Sequence, residues 1–371
     1  MKKKIMLIVP MLHQGGFERV CVTTARLLEP YFDIYIVLFD SKDIAYDIKG
    51  LNVMDLHLGV REGKLGKALN VIKRSLAVRK LKKKWGIDIA YSFGPSANMV
   101  NVFSRSDGEV WTGIRSYMDM GNKRLIKLFA RRADKVLCCS KRIEEEVASK
   151  YHCKKAVTLY NPLDVKELQR NAEEEIRLPW EDEENIIVSM GREDDVKGFW
   201  HLIKSFSLVK KEVPDGKLMI IGEGEFEEYK ALAQDLGIGD DVYFTGVKRN
   251  PFPYLNAAQV YVLTSYHEGF PNALIEAMAL GLPVIATDCL TGPREILRKE
   301  NLSYGVLIPN MSQEKNLDPL QISGEERALA EEIKKMLTDQ EYHRKYEEAS
   351  AARAKDFSNE YYVECLMRWM G

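Results

Sequence analysis

Short apolar runs alternate along this chain with longer stretches whose apolar positions recur at helical spacing. In the first half the runs predict strands at 4–9, 33–39, 52–57, 87–93, 109–115, 135–140 and 155–160. Helices are expected between them, beginning near Gly16, Leu65, Ser96, Lys123 and Lys141. The pattern then restarts: "NIIVSMG", "KLMIIGEG", "DVYFTG", "QVYVLTS", "LPVIATD" and "YGVLIP" predict six more strands, most of them separated by helices. Such alternation means βαβ units and parallel sheets covered on both faces. Between the halves, "YNPLDVKELQRNAEEEIRLPWEDEEN" is polar and acidic and is bounded by Pro162 and Pro179. The expected organisation is a first α/β domain at 1–165, a linker at 166–184 and a second domain from 185 onward. Doubly wound sheets bind ligands beyond the carboxyl ends of their strands, so two facing sheets would place a site in the cleft between them.

Charge changes this picture. The net charge of −1 over 371 residues conceals a first half, 1–165, with 13 more cations than anions and a remainder with 14 more anions than cations. Either the first domain faces an anionic surface, or the two domains attract each other. The six cysteines show no metal-ligand spacing and several lie in apolar runs, which suits a reducing cytoplasm. "MKKKIMLIVP" opens like a signal peptide, but its apolar run is short and ends in Pro10, so it reads as a strand. No run approaches the roughly 18 apolar residues of a membrane span.

Three places carry candidate chemistry. Gly15 and Gly16 in "QGGFERV" lie at a strand-to-helix turn, where backbone amides can meet an anion or simply make a tight turn. Arg192 and Lys197 in "GREDDVKGF" follow the first strand of the second half and suit a diphosphate, unless Asp194 and Asp195 neutralise them. The loop and helix "SYHEGFPNALIEAMALGLPVIATD" hold Glu268 and, inside an apolar helix, Glu276. Glutamate is seldom buried alone, and each carboxylate can accept from a pair of neighbouring hydroxyls, as a sugar or a ribose presents. Pro271 favours the first helical turn and Asn272 lies at or beside the cap.

Together these segments resemble the family-4 retaining glycosyltransferases of the GT-B fold, whose signature is E-x7-E. "EGFPNALIEAMALGLPVIATD", "GREDDVKGF", "IGEGEFEEYKALAQDLGIGDDVYFTG", "PYLNAAQVYVLTS", "GPREIL", "QGGFERV" and "YNPLD" fall in the family's order, over nearly the whole chain and most strongly from 185 to 310. The resemblance implies that Glu268 binds hydroxyls of the transferred sugar, beside the amides of Gly269, Phe270, Pro271 and Asn272. It implies Glu276 on the ribose, Arg192 and Lys197 on the leaving diphosphate, Gly15 and Gly16 near the donor phosphates, and Val247 and Lys248 near the base. It also implies a second domain at 185–350 and a final helix, 351–371, returning to the first. No metal or other cofactor is expected, since cations and helix ends stabilise the leaving group.

One departure stands out. Many relatives carry a histidine after the strand corresponding to 109–115, where this chain has Arg115 and Ser116. His13 is a further candidate on the acceptor side, or a structural residue. The implied reaction passes a hexose or N-acetylhexosamine from a nucleotide sugar, a UDP-sugar in preference, to a saccharide with retained configuration. The acceptor expected is a polyprenyl-diphosphate-linked oligosaccharide of bacterial surface glycan synthesis. Segment 61–85 bears ten cations against Glu62, with Leu65, Leu69, Ile72 and Leu76 at helical spacing. It reads as docking on an anionic membrane from the cytoplasmic side, or as a stripe packed on the sheet beneath solvated lysines. A nucleotide-sugar 2-epimerase and a non-catalytic nucleotide-sugar binder are the competing readings. Nucleic-acid binding lacks a stacking platform or a helix-turn-helix pattern.

Overall fold

The run at the chain start forms β1 (Lys4–Val9), solvent-free from Ile5 to Val9 at the centre of a seven-stranded sheet. The structure is a computed structural model that describes residues 2–13, 15–180 and 185–371. The chain divides into two units, Met1–Pro162 with Asn359–Gly371, and Leu163–Ser358.

In the first unit β1 is followed by α1 (Gly16–Leu28), β2 (Asp33–Leu38), β3 (Asn52–Asp55), α2 (Gly63–Trp85), β4 (Ile89–Phe93), α3 (Pro95–Phe103) and β5 (Glu109–Ile114). Then come α4 (Lys123–Arg132), β6 (Lys135–Cys138), α5 (Lys141–Tyr151) and β7 (Ala156–Thr158). All seven strands are parallel, in the order β3-β2-β1-β4-β5-β6-β7. The order reverses between β1 and β4, which makes a switch point at that edge.

The second unit repeats the plan. It holds α6 (Val165–Asn171), β8 (Ile186–Met190), α7 (Phe199–Glu212), β9 (Lys217–Ile221), α8 (Glu227–Asp235), β10 (Val242–Phe244), α9 (Phe252–Asn256), β11 (Val260–Leu263), α10 (Asn272–Ala279) and β12 (Val284–Thr287). It continues through α11 (Pro293–Leu297), the short antiparallel pair β13 (Arg298–Lys299) and β14 (Leu302–Ser303), β15 (Val306–Ile308), α12 (Gly324–Thr338) and α13 (Gln340–Ala354). Its parallel sheet runs β10-β9-β8-β11-β12-β15, with the reversal between β8 and β11. Alternate residues of β11 face opposite layers. Val260 and Val262 enter the core with Trp200, Phe206 and Tyr229, whereas Tyr261 takes the other face.

The chain's last helix, α14 (Asn359–Met370), belongs to the first unit, where Tyr362, Cys365, Leu366 and Met370 join the core of β1, β2 and α1. The hydroxyls of Tyr362 and Thr24 stand 2.7 Å apart in that core. The element boundaries differ from expectation at two points. Residues 351–358 stay with the second unit, because Arg353 donates to the carbonyls of Glu295 and Ile296 and stacks on Phe357. The segment expected as linker, 166–184, contains most of α6, whose N-terminus Asp164 caps by accepting from the Glu167 amide at 2.9 Å. Trp180 farther along donates to the Asp240 carbonyl and meets the Tyr243 ring edge-on. Residues 181–184 of that segment lie outside the described residues.

Candidate functional site

The second unit brings its predicted residues to one edge of its sheet. After β8 the backbone runs from Gly191 through Arg192 into a tight turn at Asp195–Lys197. Asp194 caps that turn by accepting from the Val196 amide at 3.1 Å, and Thr264, just beyond β11, donates its hydroxyl to the Lys197 carbonyl at 2.8 Å. Gly198 closes the turn with φ +61°, and a Cβ there would stand 2.6 Å from the Thr264 carbonyl oxygen. The Lys197 stem therefore lies over Gly191, whose own Cβ would meet Lys197 Cε at 3.1 Å. Its ammonium reaches Glu268 Oε1 at 2.8 Å, the two side chains being 26% and 11% exposed. Arg192 stays 70% exposed, with Asp194 only within 3.9 Å.

The aspartates do not neutralise Lys197. Asp194 is spent on the turn, and Asp195 pairs with Lys315 at 2.9 Å, which also holds Glu228 and lies over the Tyr229 ring.

Glu268 is fixed through its own backbone, because Thr291 donates its hydroxyl to the Glu268 carbonyl. Pro271 takes the cap position of α10 with extended backbone, and Asn272 is the first helical residue. No cap side chain bonds the first turn of α10. Glu276 lies within α10 at 3% exposure. Tyr261 of β11 lies near both glutamates. Burial pushes its phenol above the ordinary range, and the charges of Glu268 and then Glu276 push it further. Gly269 and Phe270 fill the turn between Glu268 and Pro271, Phe270 meeting Phe357 edge-on. Val247, half exposed, and Lys248, whose ammonium lies 4.9 Å from the Tyr254 ring centre, follow β10 at the same sheet edge. Tyr261, Thr264, Thr291 and Lys315 escape a reading by periodicity; for Thr264 the only signal is a polar residue directly after an apolar run.

The first unit treats its candidates differently. Gly15 caps α1 with extended backbone, but Tyr46 both accepts from the Gly15 amide at 2.9 Å and donates to its carbonyl at 2.6 Å. The buried Glu18 carboxylate fills the space beside Gly15, where a Cβ would meet Oε2 at 2.3 Å. An acidic group in the first turn of a helix is favoured there. Gly15 is thus engaged by the chain's own groups, as a tight turn is, with its amide and carbonyl both on Tyr46. Arg115 turns inward, 9% exposed, and donates to Asn161 with Tyr91 Oη and the Leu159 carbonyl at 3.5 Å. Ser116 caps the following turn by accepting from Met118. Arg115 therefore ties β5 to the segment after β7. His13 is half-buried between β1 and α1.

Helix α2 decides against one of its two readings. Leu65, Leu69, Ile72 and Leu76 are 82%, 50%, 55% and 64% exposed, so the apolar stripe does not pack on the sheet. The inward face is mixed instead: Val78 enters the core with Leu81 and Trp85 packed against it, beside buried polar groups. Asn70 donates to the Gly59 carbonyl, Arg74 donates to Leu58 and Gly59 and covers the Phe39 ring, and Lys82 donates to Asn101 at 2.6 Å. Those polar groups find carbonyl and side-chain partners on the same face that buries Val78, so both kinds of contact hold the helix in this orientation. No helix among the described residues is long and apolar enough to cross a membrane, and all six cysteines are buried and outside disulfides.

Two doubly wound parallel sheets, the second with cations and carboxylates gathered at its switch point, are the GT-B arrangement of a sugar-transferring enzyme. Solved structures share it. Anabaena HepE in complex with UDP aligns over 99% of both chains with TM-score 0.75 at 17% identity. Staphylococcus aureus TarM, in a complex containing UDP, aligns over 99% of each chain with TM-score 0.76 at 14% identity. Residues 170–353 match the family described as glycosyl transferases group 1. An uncharacterized glycosyltransferase of Methanocaldococcus jannaschii is 30% identical over 78% of this chain and 80% of its own length. The Campylobacter jejuni N-acetylgalactosamine-N,N'-diacetylbacillosaminyl-diphospho-undecaprenol 4-alpha-N-acetylgalactosaminyltransferase is 28% identical over 96% of both chains. The chain belongs to the group 1 glycosyltransferases.

Proposed function

We propose that this glycosyltransferase is a retaining enzyme of the E-x7-E type. It moves a hexose or N-acetylhexosamine from a UDP-sugar to a polyprenyl-diphosphate-linked saccharide in bacterial surface glycan synthesis. The observation that carries the donor half is the contact between Lys197 and Glu268 at the switch-point edge of the second sheet. A diphosphate supplies an anion for Lys197 and Arg192, and the attached sugar supplies hydroxyls for Glu268, so the donor replaces an internal ion pair with two matched contacts. Glu276 takes the ribose hydroxyls.

The chemistry then asks little of acids and bases. The bond from the anomeric carbon to the diphosphate oxygen breaks, and the acceptor hydroxyl bonds the same face of that carbon. Its proton passes to the departing diphosphate oxygen. Lys197 and Arg192 stabilise the charge growing on the leaving group, where a preorganised donor acts most strongly. The relative from Campylobacter jejuni, named for a diphospho-undecaprenol acceptor, supports the lipid-linked substrate.

The same reading places the enzyme on the cytoplasmic face of a membrane, docked through α2. Its exposed leucines and isoleucine enter the headgroup boundary while lysines and arginines meet anionic lipid. Nucleotide release measured across UDP-, GDP- and ADP-sugars with a lipid-linked acceptor, with and without chelator, tests the donor and the metal independence. Proton NMR of the product's anomeric coupling tests retention. An inverted product, or activity abolished by chelator, overturns that part of the proposal.

A further inference from the structure

Helix α7 starts directly after the Lys197–Gly198 turn, and its first two turns bury two polar side chains, His201 and Lys204. His201 uses its backbone and its ring in different directions. Its amide donates to the Gly198 carbonyl at 3.0 Å, and its Cδ2 lies 3.4 Å from where a Cβ on Gly198 would stand. Its Nε2 is 3.0 Å from the Ser312 carbonyl oxygen, and its Nδ1 is 2.7 Å from Glu326 Oε1. A carbonyl can only accept, so Nε2 carries a hydrogen. A bare nitrogen and a bare carboxylate oxygen would repel at the second distance, so a proton lies between Nδ1 and Glu326. Glu326 is itself buried and accepts from the Ser323 amide at 2.8 Å in the capping box of α12.

Ser312 lies near the start of the segment that joins β15 to α12, and Lys204 donates to the Gln321 carbonyl near its far end at 3.0 Å. Between these two ties Lys315 reaches back to Asp195 Oδ1 at 2.9 Å. Asp195 is the first residue of the turn that ends in Lys197. The contacts therefore close a ring that runs from the turn through His201, Ser312 and Lys315 and back to the turn. We infer that His201, held by Glu326, is a positioning residue for Lys197 and, through it, for the diphosphate of the donor. The inference rests on the donor reading proposed above and adds the residues that aim its cation. Filling space does not explain the histidine, since an apolar ring at 201 could also pack beside Trp200 but would leave the Ser312 carbonyl and Glu326 Oε1 without this partner. The histidine spends buried polar atoms on a segment that grips Asp195. A turn anchored from both sides keeps the Lys197 ammonium where charge grows on the leaving oxygen, and a misplacement of about 1 Å at such a point can cost about 10²-fold in rate.

The test is a double-mutant cycle on the full chain, read by steady-state nucleotide release with the UDP-sugar varied. His201→Phe keeps a ring beside Trp200 and removes both ring hydrogen bonds. It should lower kcat about tenfold and raise the donor KM by less, because a displaced cation is felt most where charge develops. In the Lys197→Ala background the same change should leave kcat almost where it was, since no ammonium remains to be aimed. Lys315→Met breaks the ring at a partly exposed residue and should behave in the same way, which keeps the test decisive where His201→Phe does not fold. Glu326→Ala should follow His201→Phe. Glu326→Gln, whose amide can donate to Nδ1 and accept from Ser323, should restore most of what Glu326→Ala loses. Equal losses of kcat with and without the lysine mark a merely structural histidine and overturn the inference. So does an unaltered kcat in folded His201→Phe or in Lys315→Met. Near-normal turnover in Lys197→Ala alone sinks the donor reading and this inference with it, whereas a slow Lys197→Ala without coupling sinks this inference alone.

Discussion

Lys197 Nζ stands 2.8 Å from Glu268 Oε1, so the two residues expected to grip opposite ends of a sugar diphosphate grip each other. Both come from loops at the switch point, one after β8 and one after β11, and neighbouring strands bring them together across 71 residues of sequence. The pair keeps a cation and a carboxylate matched in a partly buried place. A charge left alone there is the costlier state.

Turnover should depend on this pair in an unequal way. Lys197→Ala is expected to lower kcat by about 10²–10³, the effect of removing one preorganised donor from a developing charge. Glu268→Gln should act more on the donor KM. Because the two side chains touch, the double variant should lose less than the product of the single losses. Steady-state nucleotide release on the three variants decides it, and near-normal turnover in Lys197→Ala removes the lysine from the mechanism.

Glu276 offers a binding test independent of chemistry. Its carboxylate is 3% exposed within α10, and Gln keeps its shape while removing its charge. Glu276→Gln should weaken UDP binding about tenfold, as loss of a charge-assisted hydrogen bond does. Calorimetric titration reads this directly. Unchanged affinity would leave the ribose without its assigned partner.

The outward stripe of α2 predicts a separation of membrane binding from stability. Leu69→Asp with Ile72→Asp should reduce co-sedimentation with anionic vesicles tenfold or more, since each exposed side chain can bury roughly 1.5–3 kcal/mol of apolar surface. The melting temperature should hardly move, because both positions are at least half exposed. Arg74→Ala on the inward face should do the reverse, removing both Arg74 bonds to the Leu58 carbonyl and leaving Gly59 with Asn70 alone. No vesicle binding by the unaltered chain at low salt sinks the docking surface.

Lys82 should make folding stability depend on pH. Burial, reinforced by the nearby Arg105 charge, pulls its ammonium down to about 7 from 10.5. A base whose folded pKa lies below its unfolded one binds fewer protons folded than unfolded between the two values. Stability therefore rises with pH across that window, and the penalty is full below about 7. Lys82→Met should stabilise the first unit most at acidic pH, with an advantage that fades as pH climbs toward the ordinary lysine range. Melting curves over that range settle the matter; a pH-independent difference would contradict the burial account.

The alternation of apolar runs and helical stretches was enough to read both sheets, because strands covered on both faces must be apolar throughout and announce themselves locally. Arg192, Lys197, Glu268 and Glu276 could be singled out for a related reason: charged residues directly after buried strands, or inside an apolar helix, are conspicuous in any sequence. Their neighbours Tyr261, Thr264 and Thr291 could not be, since what matters about them is which carbonyl or carboxylate they meet.

Periodicity also identified α2 and its apolar stripe, but the direction of that stripe lay beyond it. A helix turns to satisfy whatever surrounds it, and here Val78 enters the core and Arg74 meets the Leu58 and Gly59 carbonyls on one face, with the leucines left on the other. Gly15 was legible as a turn, whereas its occupation by Tyr46 and Glu18 was not. Local pattern determined the elements, their order and the chemical types gathered at the strand ends. Tertiary packing decided which polar atoms were already spent on one another, because hydrogen-bond partners far apart along the chain become neighbours only once the sheets have formed.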